Sequence, residues 1–298
     1  MTNQPHILTL IAAPGAPLSL DYLLGPLTSS GMILEPMQWL APKVACDFHL
    51  ERPAPPQALA ETFHRGGKAG VDVVLQPAVG REKKLLISDM DSTMIEQECI
   101  DELADKVGLK AHVAAITERA MNGELDFKAA LRERVALLKG LPEATLQEVF
   151  DRHITLMPGA KTLVATMKAR GASTHLVSGG FTFFTSRVAT ALGFDTQEAN
   201  ILEVADGKLT GTVAEPILDK DSKRASLVAH AAATKLPLSA TLAVGDGAND
   251  LPMLLAAGLG VAYHAKPVVA AQAAAHIRFN DLSALLYLQG IPRAEWVS

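Results

Sequence analysis

Only two cysteines, Cys46 and Cys99, occur in 298 residues. Two isolated thiols make neither a disulfide framework nor a metal site of cysteine spacing. Cys99 reads as a small core residue. An excess of positive charge is also missing. There are 27 Lys and Arg against 32 Asp and Glu, a formal net charge of -5. Without a Lys/Arg-rich patch, no nucleic-acid partner is expected. No apolar run reaches the roughly 20 residues of a membrane-spanning helix. The first residues, MTNQPHILTLIAAPGAP, lack the basic stretch that opens a secretory signal. No membrane partner and a cytoplasmic location are therefore expected. Long repeats and low-complexity tracts are absent too.

What remains is an ordinary globular composition, 49% hydrophobic and 20% charged, with ample core material. The length suggests two domains. Residues 6–79 carry strand and helix patterns in the order βαββαβ, which points to a small ferredoxin-like α+β sandwich. HILTLIAAP, MILEPMQWL, VACDFHLE and VDVVLQPAV read as strands. SLDYLLGPLTSSG, ended by Gly31, and PPQALAETFHRGG read as helices. The polar GREKK at 80–84 marks a boundary, giving domains of 1–80 and 81–298.

Beyond it the pattern alternates. Strands are expected at 84–88, 173–177, 241–244 and 259–263. Helices are expected near 159–170, 181–192, 222–234, 249–257 and 267–275. Such alternation predicts an α/β fold, a Rossmann-like parallel sheet covered by helices. Residues 97–152 are helical nearly throughout and follow the first strand directly, as an inserted helical cap would. EVADGKLTGTVA, with its Asp-Gly turn, predicts a hairpin.

Ligands of open parallel sheets sit at the carboxyl ends of the strands. Three polar stretches fall there: DMDST from Asp89, SGG from Ser178, and GDGAND from Gly245. A fourth, LDKDSKRA, brings Lys220 and Lys223 to a helix start. Alone, each is an ordinary turn or helix start. Together, in one α/β unit, they hold the parts for phosphate monoester hydrolysis. Two aspartates separated by one residue repel unless something positive sits between them. A hard Mg²⁺ held by oxygen ligands supplies that charge. Asp89 is then the candidate nucleophile and Asp91 the acid/base. Asp246 is a metal ligand, Ser178 and Gly179 a phosphate cradle, and Lys223 a point charge for the phosphoryl group.

In order, DMDST, SGG, the downstream lysine and GDGANDLPML resemble the four motifs of the haloacid dehalogenase-like hydrolases, over about residues 84–290. The second aspartate resembles the phosphatase branch. DSTMIEQECIDELA, AMNGELDFKAALRERVALLKGLP and LVSGGFTFF resemble phosphoserine phosphatases. That resemblance implies Mg²⁺-dependent hydrolysis of O-phosphoserine through an aspartyl phosphate, the last step of serine synthesis. It implies that Glu98 binds the substrate ammonium and Arg134 its carboxylate, with Met121 and Phe127 closing over them. It further implies that Asp89, Asp246 and the main-chain carbonyl of Asp91 ligate Mg²⁺. Asn249 would contact the phosphate or substrate, and Asp250 would orient the metal waters and the lysine. Arg132, on the same helix as Arg134, is the competing choice there.

Two positions depart from the pattern. Met90 stands where Phe is frequent. Arg224 stands where glycine often follows the lysine, which keeps Lys220 in competition with Lys223. The N-terminal unit resembles a diverged ACT-like regulatory domain, with a homodimer through it as one implication. A chain starting near Glu82 keeps every motif residue. It is expected to fold alone unless the N-terminal sheet packs on it. Two other functions fit the same residues: a related phosphatase or phosphotransferase acting on another small phosphate such as phosphohomoserine, and an amino-acid-sensing protein with a vestigial hydrolase domain.

Overall fold

In the computed structural model, residues 5–34, 37–122 and 124–297 are described, without the side chain of Met121. The strands are β1 (His6–Ala12), β2 (Met37–Ala41), β3 (Ala45–Leu50), β4 (Val71–Pro77), β5 (Leu85–Ser88), β6 (Ser173–Phe181), β7 (Thr196–Asn200), β8 (Leu202–Ala205), β9 (Lys208–Val213), β10 (Thr241–Gly245), β11 (Leu259–Tyr263) and β12 (Ala275–Ile277). Two helices, α1 (Leu20–Ser29) and α2 (Pro56–Ala69), lie among the first four strands. Four more, α3 (Cys99–Asp105), α4 (Lys110–Met121), α5 (Phe127–Ala136) and α6 (Ala144–His153), follow β5. The remainder are α7 (Ala160–Ala169), α8 (Thr182–Leu192), α9 (Lys220–Ala233), α10 (Leu251–Ala256), α11 (Pro267–Ala270) and α12 (Ala284–Leu288).

The first sheet runs β2-β3-β1-β4, antiparallel throughout. This is the expected ferredoxin-like order. One face is covered by α1 and α2, through Leu8, Leu10, Leu23, Leu27 and Val73. The other face is largely covered as well. Ile11, Leu40, Ala45 and Val74 belong to the same apolar core as Leu285, Leu286 and Tyr287 of α12. That double burial explains why β1 carries apolar residues on both faces rather than alternating; its one internal polar residue, Thr9, donates to Asp47 at 2.6 Å.

The boundary at GREKK is a packed clamp. The Arg81 guanidinium donates to both Asp47 carboxylate oxygens, at 2.6 and 3.2 Å, and to the carbonyls of Tyr287 and Leu288. Across the same junction Asp72 accepts from the backbone N–H of Arg278 and Phe279 and from Asn280.

The second sheet is six-stranded and parallel, in the order β12-β11-β10-β5-β6-β7. The chain leaves β5 for β6 on one side and returns to β10 on the other. This reversal opens a crevice at the ends of β5, β6 and β10. The cap helices α3–α6 lie over it, and β8 and β9 form the expected hairpin.

Three expectations need correction, and one strand was not expected. The strand expected over MILEPMQWL starts at Met37, and positions 35 and 36 of that stretch lie outside the described residues. The helix expected over 267–275 stops at Ala270. The Ala-rich segment then turns and pairs Ala275–Ile277 with β11, a tertiary contact overriding helix propensity. The helix expected from 249 begins as a 3₁₀ turn, Ala248–Asp250, before α10. Strand β7, TQEAN, is unexpected because its half-exposed polar residues show no apolar alternation. Among the described residues, no helix is long and apolar enough to cross a membrane.

Candidate active site

Strand β5 is buried at every position, so its end projects Asp89 from a rigid support. The Asp89 N–H donates to the Val244 carbonyl of β10 at 3.0 Å. Lys223, on the first turn of α9, reaches the same point. Its ammonium lies 2.8 Å from Asp89 Oδ1 and 2.7 Å from Asp250 Oδ1, with no exposure to solvent. Asp219 caps that helix by accepting from the Asp221 and Ser222 N–H groups. Lys220 is exposed; of the two competing lysines, Lys223 meets the aspartates. The second oxygen of Asp250 accepts from the N–H groups of Asp246 and Gly247, both at 3.1 Å. Asp250 is therefore fully used in holding Lys223 and the β10 loop.

Asp91 faces another way. Its Oδ1 accepts from the Cys99 N–H at 2.9 Å, and its Oδ2 from the Ser178 hydroxyl at 3.3 Å. The SGG backbone passes very close. A Cβ on Gly180 would lie 2.6 Å from Asp91 Oδ2, and one on Gly179 2.6 Å from the Phe127 ring. Only glycines allow the cap and the loop to close like this. From the cap, Glu98 sits half-buried and accepts from the Ser92 hydroxyl at 2.6 Å. Arg134 is 5% exposed, whereas Arg132 pairs with Glu215 at the surface.

One narrow cavity of about 50 Å³ is lined by Asp89, Asp91, Glu98, Arg134, Ser178 and Asn249. Gly179 and Phe127 also border it. Met121 ends α4, and its side chain lies outside the described residues.

The electrostatics are those of a site rich in acid. Five carboxylates, on Asp89, Asp91, Glu98, Asp246 and Asp250, surround two cations, Lys223 and Arg134. Burial and the Asp250 charge raise Asp89 well above the usual carboxylate range. Burial, then Asp91, does the same to Glu98. Burial and Asp250 push Asp246 up to about 7. Burial also raises Asp91, against the lowering effect of the Cys99 N–H. For Lys223 burial opposes the charge, but Asp250 and Asp89 outweigh it and hold the ammonium above its ordinary value.

Ligand atoms of Asp89, Asp246 and Asp250 lie within 4.8 Å of one another. Asp250 is already satisfied. Asp89 Oδ1 is bonded to Lys223 and to the Met90 N–H at 2.7 Å, and Asp246 Oδ1 to the Thr93 hydroxyl at 3.1 Å. Each of these two residues keeps its other oxygen. Hard oxygen donors with uncompensated negative charge suit a divalent cation of the Mg²⁺ type.

Three buried groups escaped the sequence reading. Thr93 orients Asp246, and its place inside DMDST was a usable signal. Asn200 donates to the Gly179 carbonyl at 2.8 Å and to the Leu218 carbonyl at 3.2 Å, and accepts from the Leu218 N–H at 2.7 Å. It ties the SGG loop to the segment before α9, but nothing local in TQEAN announces it. Thr117, from α4, lies against Arg134.

A parallel sheet with an aspartate-bearing loop, a buried lysine and a helical cap defines the class. The chain belongs to the haloacid dehalogenase-like hydrolase family, whose model matches residues 86–255. Within that family it falls among the phosphoserine phosphatases. The phosphoserine phosphatase of Polaromonas sp. is 50% identical over 210 residues, 69% of this chain and 89% of that one. A haloacid dehalogenase family hydrolase from Salmonella enterica serovar Typhi superposes with a TM-score of 0.82 at 32% identity. It covers 95% of this chain and 98% of its own, so the likeness extends over the N-terminal sheet. The phospho-aspartyl intermediate analogue of a phosphoserine phosphatase superposes at 0.67 with 41% identity, covering 69% of this chain and 98% of that one.

Proposed function

We propose that this enzyme hydrolyses O-phosphoserine to serine and phosphate with Mg²⁺, as the last step of serine synthesis in the cytoplasm. The observation that carries the reading is one pocket lined by Glu98, Arg134, Asp89 and Ser178, with Lys223 paired to Asp89 behind it. An anion for the ammonium, a fork-shaped cation for the carboxylate and a phosphate cradle match the three charged groups of phosphoserine.

In this reading an Asp89 carboxylate oxygen attacks phosphorus, and the bond to the serine oxygen breaks. Asp91 gives that oxygen its proton. Asp91 then takes a proton from water, whose oxygen attacks phosphorus and frees Asp89. Lys223, the Ser178 hydroxyl, Asn249 and the Gly179 N–H hold the phosphoryl oxygens. The Asp89 and Asp246 carboxylates and the Asp91 carbonyl would hold a Mg²⁺, whose charge would offset that of the dianion. Asp250 keeps Lys223 and the β10 loop in place. Phe127 and Met121 exclude water from the cap side.

The N-terminal ACT-like unit supplies no group to this site and is proposed to brace or regulate it. Its docked sheet face leaves the helices and the β2 edge for a homodimer. The domain limits proposed from the sequence, 1–80 and 81–298, fall inside the Arg81 clamp.

Steady-state assays on phosphoserine, phosphohomoserine and p-nitrophenyl phosphate, with Mg²⁺ and with a chelator, test the proposal. Phosphoserine is expected to be the preferred substrate, and only with metal. Preference for another member of the panel would replace the substrate assignment.

A further inference from the structure

Arg134 is nearly enclosed, and three cap helices fix its guanidinium. Its Nε–H donates to the Ala130 carbonyl at 3.1 Å, one turn back on α5. One Nη1–H donates to the Thr117 hydroxyl of α4 at 2.9 Å. That hydroxyl has a single proton to give. It lies 2.8 Å from Asp101 Oδ1 on α3 and 3.0 Å from the Val113 carbonyl. The charged carboxylate, placed near the guanidinium, is the stronger acceptor.

A guanidinium has five N–H donors in a rigid plane. Two of them are committed as described. The second Nη1–H and both Nη2–H have no protein acceptor among the described residues, and the side chain lines the cavity. They include both Nη2–H groups, which can donate to a carboxylate. Rotation of the plane would turn these donors away, and the Thr117 hydroxyl sets it together with the Ala130 carbonyl.

We infer that Thr117 and Asp101 are positioning residues that orient Arg134 and so set selectivity for substrates bearing a carboxylate. The inference rests on the proposed phosphoserine reading, in which Arg134 meets that carboxylate. Asp101 lies three residues after Glu98 and accepts the Thr117 proton, so α3 carries one recognition residue and supports the other. Thr117 borders the cavity, but its one proton goes to Asp101, and neither residue bonds to Asp89, Asp91, Ser178 or Lys223. Removing the hydroxyl weakens binding of the carboxylate, while the phosphate machinery of Asp89, Ser178 and Lys223 stays as it is.

The test is kcat and KM for phosphoserine and for p-nitrophenyl phosphate, which carries no carboxylate, in Thr117→Val, Thr117→Ser, Asp101→Asn and Arg134→Ala, each checked for folding by circular dichroism. In Thr117→Val the ratio of kcat/KM for phosphoserine to that for p-nitrophenyl phosphate is expected to fall roughly 10- to 100-fold, mainly through KM. Thr117→Ser keeps the hydroxyl and is expected to restore the ratio. Asp101→Asn keeps an acceptor but loses the charge, and is expected to give a smaller fall. It also decides the matter if Thr117→Val does not fold.

Equal losses on both substrates, or an unchanged ratio in Thr117→Val and Asp101→Asn, would overturn the inference. Arg134→Ala separates the two levels. If it lowers the ratio and the Thr117 and Asp101 variants do not, the inference fails alone. If Arg134→Ala leaves the ratio unchanged, the carboxylate assignment fails with it.

Discussion

Replacing Lys223 by methionine removes a charge and little volume. Lys223 Nζ sits between Asp89 Oδ1 at 2.8 Å and Asp250 Oδ1 at 2.7 Å, with side-chain exposures of 1%, 7% and 0%. Breaking a buried ion pair from one side costs roughly 3–5 kcal/mol, because the partner stays buried and charged. Here both carboxylates keep other donors. Asp250 retains the Asp246 and Gly247 N–H groups, and Asp89 retains the Met90 N–H. The loss is therefore expected near the lower end, about 3 kcal/mol at pH 8 in a chelator.

The effect should depend on pH. Asp89 is already raised by burial and by Asp250, and losing Lys223 raises it further. Protonation relieves the unpaired charge, so the penalty shrinks as pH falls towards about 5.5. The assay is urea unfolding of wild type and Lys223→Met at both pH values. A penalty that is equal at both, or below about 1 kcal/mol at pH 8, would refute the buried-pair reasoning.

Asp91→Asn keeps the main-chain carbonyl but cannot pass a proton. Turnover is expected to fall roughly 10²–10⁴-fold, with Mg²⁺ affinity by calorimetry little changed; lost metal binding would reverse the roles given to Asp89 and Asp91. Asp246 is pushed up to about 7, so the folded chain without metal holds more protons than the unfolded chain from about pH 4 to that value, and the raised Asp89 and Glu98 act in the same direction. Their stabilising contribution is full below that range and is lost as pH rises through it. Melting in a chelator is thus expected to fall from pH 6 to 8, and Mg²⁺ to recover more at pH 8; a rise over that interval would contradict this. A chain beginning at Glu82 uncovers the apolar core that α12 shares with the N-terminal sheet and leaves the Tyr287 and Leu288 carbonyls without Arg81. Light scattering should show aggregation, whereas a soluble monomer of normal turnover would show that the sheet is dispensable.

The DMDST, SGG and GDGAND stretches stood out in the sequence because each follows an apolar strand and gathers its polar residues in a few adjacent positions. LLIS before Asp89 and TLAV before Gly245 announce both the strand and its end. Arg134 could be told from Arg132 only by resemblance, since the two differ in burial, not in local pattern. Thr117 and Asn200 stayed hidden for the same reason. Their partners are far away in sequence, and isolated polar residues in a helix or an edge strand look like surface. The docking of the N-terminal sheet was partly visible in β1, which carries apolar residues on both faces. The Arg81 clamp was not, because GREKK has the composition of an exposed linker.

The central claim is that Asp89 carries the phosphoryl group during hydrolysis of phosphoserine. Rapid acid quench of enzyme turning over phosphorus-labelled phosphoserine with Mg²⁺, followed by peptide mass analysis, tests it most directly. The account predicts an acyl phosphate on the peptide containing Asp89, sensitive to hydroxylamine and absent from Asp89→Asn. Phosphate released at full rate with no label on that peptide, or label retained in Asp89→Asn, would contradict it.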